Sequence, residues 1–352
     1  MREYILEHLK RYPMMEIADM VKLLYQSEFG GGHMIKNPAA SLERLERECQ
    51  GLELGQGPMR WEKIGNHMGR LFLQGMSEHI SLETVNRFFV NSARRVNASE
   101  KVFEGKLELL VEMCREGSLP FECRELEDWL DVYREKGYPL IRHSDTYRRL
   151  YHPSYRVISE DYLQYLDLFE SIDSRPEKNR PLILAVDGRC GSGKSWLARL
   201  LSGIYPSSVI HMDHFFLRPV QRTEERLKEA GGNIDYERFM EEVVKPLKSG
   251  ENVLDYRRYD CVSGEFSEQI RVRMKDLVII EGTYSCHPRF CGCYDVKVFL
   301  DISPEEQKER ILKRNGAYML SRFVNEWIPK EETYFDTFGI RKTCDLIFKE
   351  DV

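Results

Sequence analysis

Residues 188–195 read GRCGSGKS and match the spacing G-x-x-x-x-G-K-[ST]. This spacing indicates a loop that binds phosphate, because its glycines let successive backbone N–H groups turn inward toward phosphate oxygens. Lys194 would place a positive charge against the β- and γ-phosphates, and the Ser195 hydroxyl suits a Mg²⁺ ligand. We therefore expect ATP and Mg²⁺ to bind at this phosphate loop, through Gly188, Arg189, Cys190, Gly191, Ser192, Gly193, Lys194 and Ser195.

Two carboxylates come at the ends of short apolar runs further along the chain. Asp213 follows SVIHM (208–212), and Glu281 closes the apolar run in LVIIEG (277–282). Each run predicts a buried strand, and an open α/β sheet presents its ligand-binding groups at such strand ends. Because a carboxylate there needs a cation or a donor, we predict that Glu281 supports Mg²⁺ and that Asp213 accepts the proton of an alcohol. A turn cap at Asp213 and a salt bridge at Glu281 are the structural alternatives.

A group of cations lies near the C-terminus. Arg310, Lys313 and Arg314 stand at i, i+3 and i+4 in EEQKERILKRNG, hence on one face of a helix that Asn315-Gly316 would end. Such a helix end could form a mobile lid, with Arg310 and Arg314 offsetting charge that develops on a transferred phosphoryl group. The alternative is a solvated helix face that pairs with glutamates of the same helix.

The elements that must position these residues alternate between strands and helices. Short apolar runs predict strands, and longer stretches with helical periodicity separate them. The strands are expected at 182–187, 208–212, 277–282 and 295–301, and the helices at 194–203, 236–248, 304–314 and 318–335. This alternation favours an α/β fold, with a parallel sheet covered by helices on both faces.

The N-terminal half has a different pattern, in which helical periodicity dominates. Helices are expected at 3–10, 16–25, 81–96, 101–113 and 156–170, with a small hairpin around 59–64 and 69–73. The polar stretch SIDSRPEKNRP (171–181), with two prolines, is typical of a linker. We thus predict a mostly α-helical domain over 1–172, a linker over 173–181 and the phosphate-binding α/β domain over 182–352.

Composition and charge limit the classes of partner. The net charge of −6 gives no overall attraction to nucleic acid or to an anionic membrane, so neither is an expected partner. We find no apolar run that approaches bilayer length and no signal-peptide core at the start, which predicts a cytoplasmic protein. The nine cysteines are scattered and read as reduced thiols. Cys286, His287, Cys291 and Cys293 could hold zinc, but their spacing fits no common zinc site and favours a loop without metal.

From about residue 180 to 349, the sequence resembles the uridine kinase branch of P-loop kinases, which also includes phosphoribulokinase and bacterial pantothenate kinase. GRCGSGKS resembles the Walker A block of this family, IIEG (279–282) its metal-supporting acid, and the arginine helix its lid. DHFF (213–216) resembles the block whose acid is the base toward the nucleoside hydroxyl. GGNIDYERF (231–239) and YDCVSG (259–264) resemble the blocks that contact the sugar and the base, which implies substrate contacts for Asp235 and Tyr259.

One departure concerns the acceptor. Where uridine kinases usually carry a histidine that helps read the pyrimidine, this chain has Ser263-Gly264. The expected activity is therefore an ATP- and Mg²⁺-dependent kinase that phosphorylates a small-molecule hydroxyl, with the 5'-hydroxyl of a nucleoside favoured. Another small alcohol, such as a sugar or a pantothenate-like molecule, is the first alternative. The second is an ATP-dependent switch whose helical half binds RNA or protein, for which HSDTYRRLYHPSYRV (143–157) interleaves arginine with tyrosine.

Overall fold

The computed structural model describes residues 1–175 and 179–349. The chain divides into two compact units between Ser174 and Arg175. Residues 176–178, within the predicted linker, lie outside the described residues. In the described part of the chain, no helix is both long and apolar enough to span a lipid bilayer.

The N-terminal unit combines helices with a small antiparallel sheet of strand order β1-β2-β3. Its helices are α1 (Arg2–Arg11), α2 (Ile17–Phe29), α3 (Pro38–Cys49), α4 (Leu82–Arg95), α5 (Glu100–Arg115), α6 (Cys123–Glu135), α7 (Asp145–Tyr151), α8 (Glu160–Leu163) and α9 (Leu166–Asp173). Its strands are β1 (Trp61–Gly65), β2 (Met68–Phe72) and β3 (Tyr155–Ser159). The mostly helical character predicted from the sequence is confirmed.

The helix predicted over 156–170 is wrong in its first part. Residues 155–159 form β3, which pairs with β2 from Tyr155 opposite Phe72 to Ser159 opposite Met68. The Ser159 side chain then accepts a hydrogen bond from Asp161 N and so caps α8. The β-branched residues of β3 complete the predicted hairpin as a three-stranded sheet, an outcome that the local apolar spacing did not distinguish from a helix.

A fully buried arginine lies at the centre of the N-terminal unit. Arg70 on β2 has 0% exposure and donates from Nη1 to Glu62 Oε1 at 3.1 Å. Its Nε and Nη2 donate to Gln26 Oε1 at 3.0 and 2.8 Å. Glu62 also accepts from the Tyr12 hydroxyl at 2.9 Å and forms an ion pair with Arg11 at 2.8 Å. This charge is thus paired and hydrogen-bonded inside the unit, as a buried charge must be.

A second set of buried polar groups surrounds Asp19 on α2. His143 Nδ1 lies 2.8 Å from Asp19 Oδ1, and His143 Nε2 lies 2.6 Å from the Tyr155 hydroxyl. Asp19 also accepts from the backbone N and the hydroxyl of Ser144. Burial lowers the pKa of His143 to about 4, so this imidazole is neutral at physiological pH. These contacts join α2, β3 and the start of α7.

The C-terminal unit contains a parallel sheet of strand order β10-β9-β4-β8-β5. Its strands are β4 (Leu182–Gly188), β5 (Ser207–His211), β6 (Val253–Asp260), β7 (Glu265–Arg273), β8 (Leu277–Glu281), β9 (Val296–Asp301) and β10 (Leu346–Lys349). Its helices are α10 (Lys194–Ser202), α11 (Glu224–Lys228), α12 (Tyr236–Phe239), α13 (Lys245–Ser249), α14 (Pro304–Arg322), α15 (Ile328–Phe338) and α16 (Ile340–Thr343). The predicted α/β class with a parallel sheet and flanking helices is confirmed.

The parallel register brings the predicted site to one edge of this sheet. Val186 on β4 and His211 on β5 both pair with Glu281 on β8. The carboxyl ends of these three strands therefore lie side by side, which is where open α/β sheets bind ligands. Strands β6 and β7 form a separate antiparallel hairpin that the sequence analysis did not predict.

Two helical regions contain irregular turns. A π-helical turn, Met240–Val244, joins α12 to α13, and another, Phe323–Trp327, joins α14 to α15. Helix α14 does not end at Asn315-Gly316 as predicted but bends there, since Gly316 has φ 78° and the helix continues to Arg322. Glycine suits this bend because it adopts positive φ without a Cβ clash.

Candidate active site

The phosphate loop joins β4 to α10 in a conformation that requires glycine. Gly188 has φ 140°, and a Cβ placed there would lie 2.1 Å from the backbone oxygen of Leu300. Gly193 has φ 88° and is the N-cap of α10, so the positive end of the helix dipole faces the loop. The sequence motif therefore forms the strand–loop–helix structure that phosphate binding needs.

Two polar side chains of the loop suit an anionic ligand. Lys194 is 9% exposed, and its Nζ donates to the backbone oxygens of Gly188 and Arg189 at 2.8 Å each. The Ser192 hydroxyl is buried and has no hydrogen-bond partner among residues 1–175 and 179–349. A positive charge and an unpaired donor thus lie within the loop, and phosphate oxygens could accept from both.

Ser195 and Glu281 form the predicted metal-binding pair. The Ser195 hydroxyl lies 3.0 Å from each carboxylate oxygen of Glu281. His211 Nδ1 lies 2.5 Å from Glu281 Oε1. Burial alone would raise the pKa of Glu281, but the hydrogen bond and charge of His211, with Lys194 and Ser195, hold it below its usual value. The pKa of His211 is correspondingly raised by its hydrogen bond to Glu281, although burial opposes this.

Asp213 lies just beyond the end of β5, in a short 3₁₀ turn. Its residue surface is exposed to solvent, yet the surrounding protein raises the pKa of its carboxyl. Glu281 also raises this pKa, whereas Lys194, His211 and Arg314 lower it. The pKa of Asp213 therefore responds to the charges of Lys194 in the loop, Glu281 on β8 and Arg314 on α14.

The two predicted lid arginines lie on α14 against the phosphate loop. Arg310 Nη1 donates to the backbone oxygen of Gly191 at 3.2 Å, and this side chain also pairs with Glu306. Arg314 Nη2 lies 3.4 Å from the Cys190 sulfur. The same-helix pairing given as an alternative therefore occurs at Arg310, together with a contact to the loop.

The predicted acceptor residues lie on neighbouring segments. Asp235 is 2% exposed and caps α12, accepting from Arg238 N at 3.1 Å and from Gln221 Nε2 at 3.0 Å. Tyr259 on β6 is 3% exposed, and its hydroxyl has no hydrogen-bond partner within the described ranges. Asp235 is thus already bonded to protein groups, whereas the hydroxyl of Tyr259 remains available.

Arg238 holds these segments together, which the sequence analysis missed. Its Nη2 donates to the backbone oxygen of His214, and its Nη1 donates to that of Arg257 on β6, at 2.7 and 2.6 Å. His214 Nδ1 lies 3.1 Å from the Tyr256 hydroxyl. Burial lowers the pKa of His214 to about 4, so it is a neutral neighbour of Asp213. Arg238 on α12 therefore joins the turn that contains Asp213 to the β6–β7 hairpin.

The phosphate loop also contacts residues that no local motif identified. Arg189 donates from Nε and Nη2 to Glu332 at 2.7 and 3.0 Å, and from Nη1 to Asp301 at 2.8 Å. The backbone N–H of Cys190 donates to Glu331 Oε2 at 3.1 Å. The Arg189 side chain, which the sequence analysis grouped with the nucleotide-binding residues, therefore bonds to carboxylates of the protein.

The cysteine–histidine cluster after β8 is a packed loop. Cys293 Sγ lies 3.0 Å from the backbone oxygen of Phe290, and Cys286 Sγ lies 3.9 Å from Cys344 Sγ. Over the residues that the structure describes, no three His, Cys, Asp or Glu side chains are grouped so that they could hold a metal ion.

Comparison with known proteins supports the resemblance inferred from the motifs. No protein-family model matches the chain. It is 26% identical over 191 residues to uridine kinase of Streptococcus pneumoniae strain Hungary19A-6, an alignment covering 50% of this chain and 88% of that enzyme. The uridine kinase of strain TIGR4 matches to the same extent. Over about half of its length, the chain is therefore similar in sequence to uridine kinases. Among solved structures, the chain resembles a possible uridine kinase from Bacillus stearothermophilus, with 22% identity, TM-score 0.40 and coverage of 53% and 96% of the two chains.

Proposed function

We propose that the C-terminal unit transfers the γ-phosphoryl group of ATP to a hydroxyl of a small molecule, with the 5'-hydroxyl of a nucleoside as the favoured acceptor. The observation that carries this proposal is the pair formed by Ser195 and Glu281, 3.0 Å apart, at the mouth of the phosphate loop. An alcohol and a carboxylate are oxygen ligands, which Mg²⁺ prefers.

The loop residues fit Mg²⁺-bound nucleotide phosphates. Lys194 would exchange its two backbone carbonyl partners for phosphate oxygens, and the buried Ser192 hydroxyl would gain a partner. Ser195 and Glu281 would hold Mg²⁺, which supplies charge neutralisation at the phosphates when it is bound. The positive charge of His211 would then compete with the metal for Glu281.

Asp213 is proposed as the base toward the acceptor hydroxyl. It is accessible to solvent beside the loop, and its raised pKa brings it closer to the pH at which it works as a proton acceptor. Arg310 and Arg314, which already touch the loop, would stabilise charge on the phosphoryl group during transfer. Much of the acceleration would come from this positioning.

A nucleoside is favoured because the relatives with the matching sequence are uridine kinases. Asp235 and Tyr259 would contact the sugar and the base, and the unpaired Tyr259 hydroxyl supports such a contact. The β6–β7 turn has Ser263-Gly264 where uridine kinases usually carry a histidine that helps read the pyrimidine. A sugar or a pantothenate-like alcohol is therefore retained as the alternative acceptor.

A panel of acceptors tests this function. The full-length protein, ATP and Mg²⁺ are incubated with single nucleosides, sugars and pantothenate, and ADP release is measured with Asp213→Asn as the control. We expect a nucleoside to stimulate ADP release, and the variant to lose the stimulation. If another alcohol stimulates ADP release instead, that alcohol and not a nucleoside is the acceptor. If ATP is used but no acceptor stimulates its use, the nucleotide-dependent switch is favoured.

A further inference from the structure

Glu331 on α15 contacts the backbone of the phosphate loop. Its Oε2 accepts the backbone N–H of Cys190 at 3.1 Å, and Gln307 Nε2 on α14 lies 3.4 Å from the same oxygen. Glu331 is 5% exposed. Both of these donors are neutral, so neither supplies the charge that a buried carboxylate would need to remain an anion at low cost.

The next residues of α15 hold the same loop. Glu332 accepts two hydrogen bonds from Arg189, and the Tyr334 hydroxyl donates to Asp187 Oδ2 at 2.8 Å. Helix α15 therefore contacts Asp187 near the end of β4 and Arg189 and Cys190 of the phosphate loop. Of the two adjacent glutamates of α15, Glu332 is paired with an arginine in a partly exposed position, whereas Glu331 is buried at a backbone amide.

The surroundings of Glu331 make its charge sensitive to anions. Burial raises the pKa of Glu331 to about 7. Lys194 on α10 and the Cys190 amide lower this pKa, whereas Asp187 on β4 and the neighbouring Glu332 raise it. The Cys190 thiol and the Tyr284 hydroxyl after β8 also sense Glu331, but burial raises the pKa of both groups, so they stay neutral near pH 7.

We propose that Glu331 is a positioning residue of the phosphate loop that takes up a proton when nucleotide phosphates bind. This inference rests on the proposed function, because it requires the loop to receive a nucleotide. The phosphates bring negative charge close to a buried carboxylate, and like charges favour the protonated form of the weaker acid. A protonated Glu331 still offers a carbonyl oxygen to the Cys190 amide, so the loop keeps its support.

The affinity for nucleotide should fall as the pH rises. Below about pH 7, Glu331 is already protonated in the free protein, and nucleotide affinity is at its highest. As pH rises, binding must also bring a proton to Glu331, so the affinity falls until the pKa of the bound state is passed. Each unit by which bound phosphates raise that pKa corresponds to about a tenfold loss of affinity at high pH.

Calorimetric titration of the full-length protein with Mg²⁺–ADP tests this inference without any phosphoryl transfer. At pH 7, titrations in two buffers with different ionisation enthalpies should show uptake of a fraction of a proton. The affinity of the wild type should fall about three- to tenfold between pH 6 and pH 8.5. Glu331→Gln, which keeps an acceptor oxygen but cannot ionise, should retain the low-pH affinity, lose most of the pH dependence and take up less proton.

Two further variants separate this role from a structural one. Glu332→Gln, on the same helix and the same loop, should keep the proton uptake and the pH profile of the wild type. Glu331→Ala removes the acceptor for Cys190 and should weaken binding at every pH. Equal proton uptake by the wild type and Glu331→Gln, or none by the wild type, overturns the inference and leaves the kinase proposal intact. Absence of Mg²⁺–ADP binding at any pH would instead overturn the kinase proposal. The two-buffer measurement on the wild type alone remains decisive if a variant does not fold.

Discussion

The buried polar groups of the two units are satisfied in different ways. In the N-terminal unit, Arg70 donates three hydrogen bonds to Glu62 and Gln26, and Asp19 accepts from His143 and Ser144. In the phosphate loop, Lys194 donates only to backbone oxygens of its own loop, and the Ser192 hydroxyl has no partner among the described residues.

This difference separates stabilising networks from ligand sites. A buried group bonded to fixed side chains on other elements contributes to folding, and its loss leaves partners unpaired. A donor whose partners are backbone carbonyls of its own loop, or are missing, can be transferred to a ligand at little cost. The arginine and histidine clusters of the N-terminal unit therefore fit a structural role, and the polar groups at the ends of β4, β5 and β8 fit the proposed ligand site.

Asp213→Asn should give the largest effect in the C-terminal unit. Asparagine has nearly the same shape but cannot accept the acceptor's proton, so kcat should fall by about 10²–10⁴-fold. Nucleotide affinity should be unchanged, as measured by calorimetry. Near-normal turnover would show that Asp213 is not the base. In the wild type, kcat should fall at acidic pH as Asp213 becomes protonated. Because the pKa of Asp213 is raised, this fall should occur at a higher pH than for an ordinary aspartate.

Arg70→Met tests the opposite half of the comparison. It removes the buried charge that pairs with Glu62 and the donor that bonds to Gln26, so the free energy of unfolding of the N-terminal unit should fall by about 3–5 kcal/mol. Arg148→Met is the matched control, since the Arg148 side chain is 53% exposed and pairs with Asp145 of its own helix. The control should change stability by less than about 1 kcal/mol in chemical denaturation. Lost nucleotide binding with unchanged stability in Arg70→Met would assign this cluster to a site.

The pair of His211 and Glu281 predicts the pH dependence of metal binding. The raised pKa of His211 means that its charge stabilises the pair below the ordinary histidine pKa, and that this contribution is lost as pH rises through the raised value. The lowered pKa of Glu281 means that its contribution is lost only as pH falls through that low value. Apparent Mg²⁺ affinity should therefore increase severalfold as His211 loses its proton. His211→Asn should flatten this rise in titrations of nucleotide binding against Mg²⁺.

The smallest effect is expected at the bend of α14. Gly316→Ala places a Cβ at φ 78°, which should cost about 1 kcal/mol in unfolding free energy. Gly105 within α5 is the matched control, because a Cβ there meets no atom within 4 Å. Gly105→Ala should stabilise the chain by about 0.5–1 kcal/mol. If both variants change the free energy of unfolding in the same direction, the bend at Gly316 does not require glycine.

Local sequence predicted the parts of the site that depend on local structure. The phosphate loop, the strands that end at Asp187 and Glu281, and the residue Asp213 were all readable from short apolar runs and one motif. The hairpin of β6 and β7 was missed because its outward positions are charged and its buried positions few. The helix predicted over 156–170 was wrong at its start for another reason: the residues of β3 are mostly buried, and their apolar spacing does not distinguish a short strand from a helix.

Contacts between distant segments could not be read in this way. Glu331 and Cys190 are separated by 141 positions, and Arg238 reaches His214 and Arg257 only because α12 packs beside the hairpin. In the sequence, Glu331 looks like any glutamate on the surface of a helix, and only its burial in the structure distinguishes it. His211 lies two residues before Asp213 in the sequence, but its contact with Glu281 was not predicted.

The central claim is that the loop at 188–195 binds a magnesium nucleotide through Ser195 and Glu281. Calorimetric titration of the full-length protein with ATP, with and without Mg²⁺, tests it most directly, with Ser195→Ala as the comparison. We predict binding that weakens when Mg²⁺ is omitted, and a smaller Mg²⁺ effect in the variant. Failure to bind any purine triphosphate in the presence of Mg²⁺ would contradict the claim.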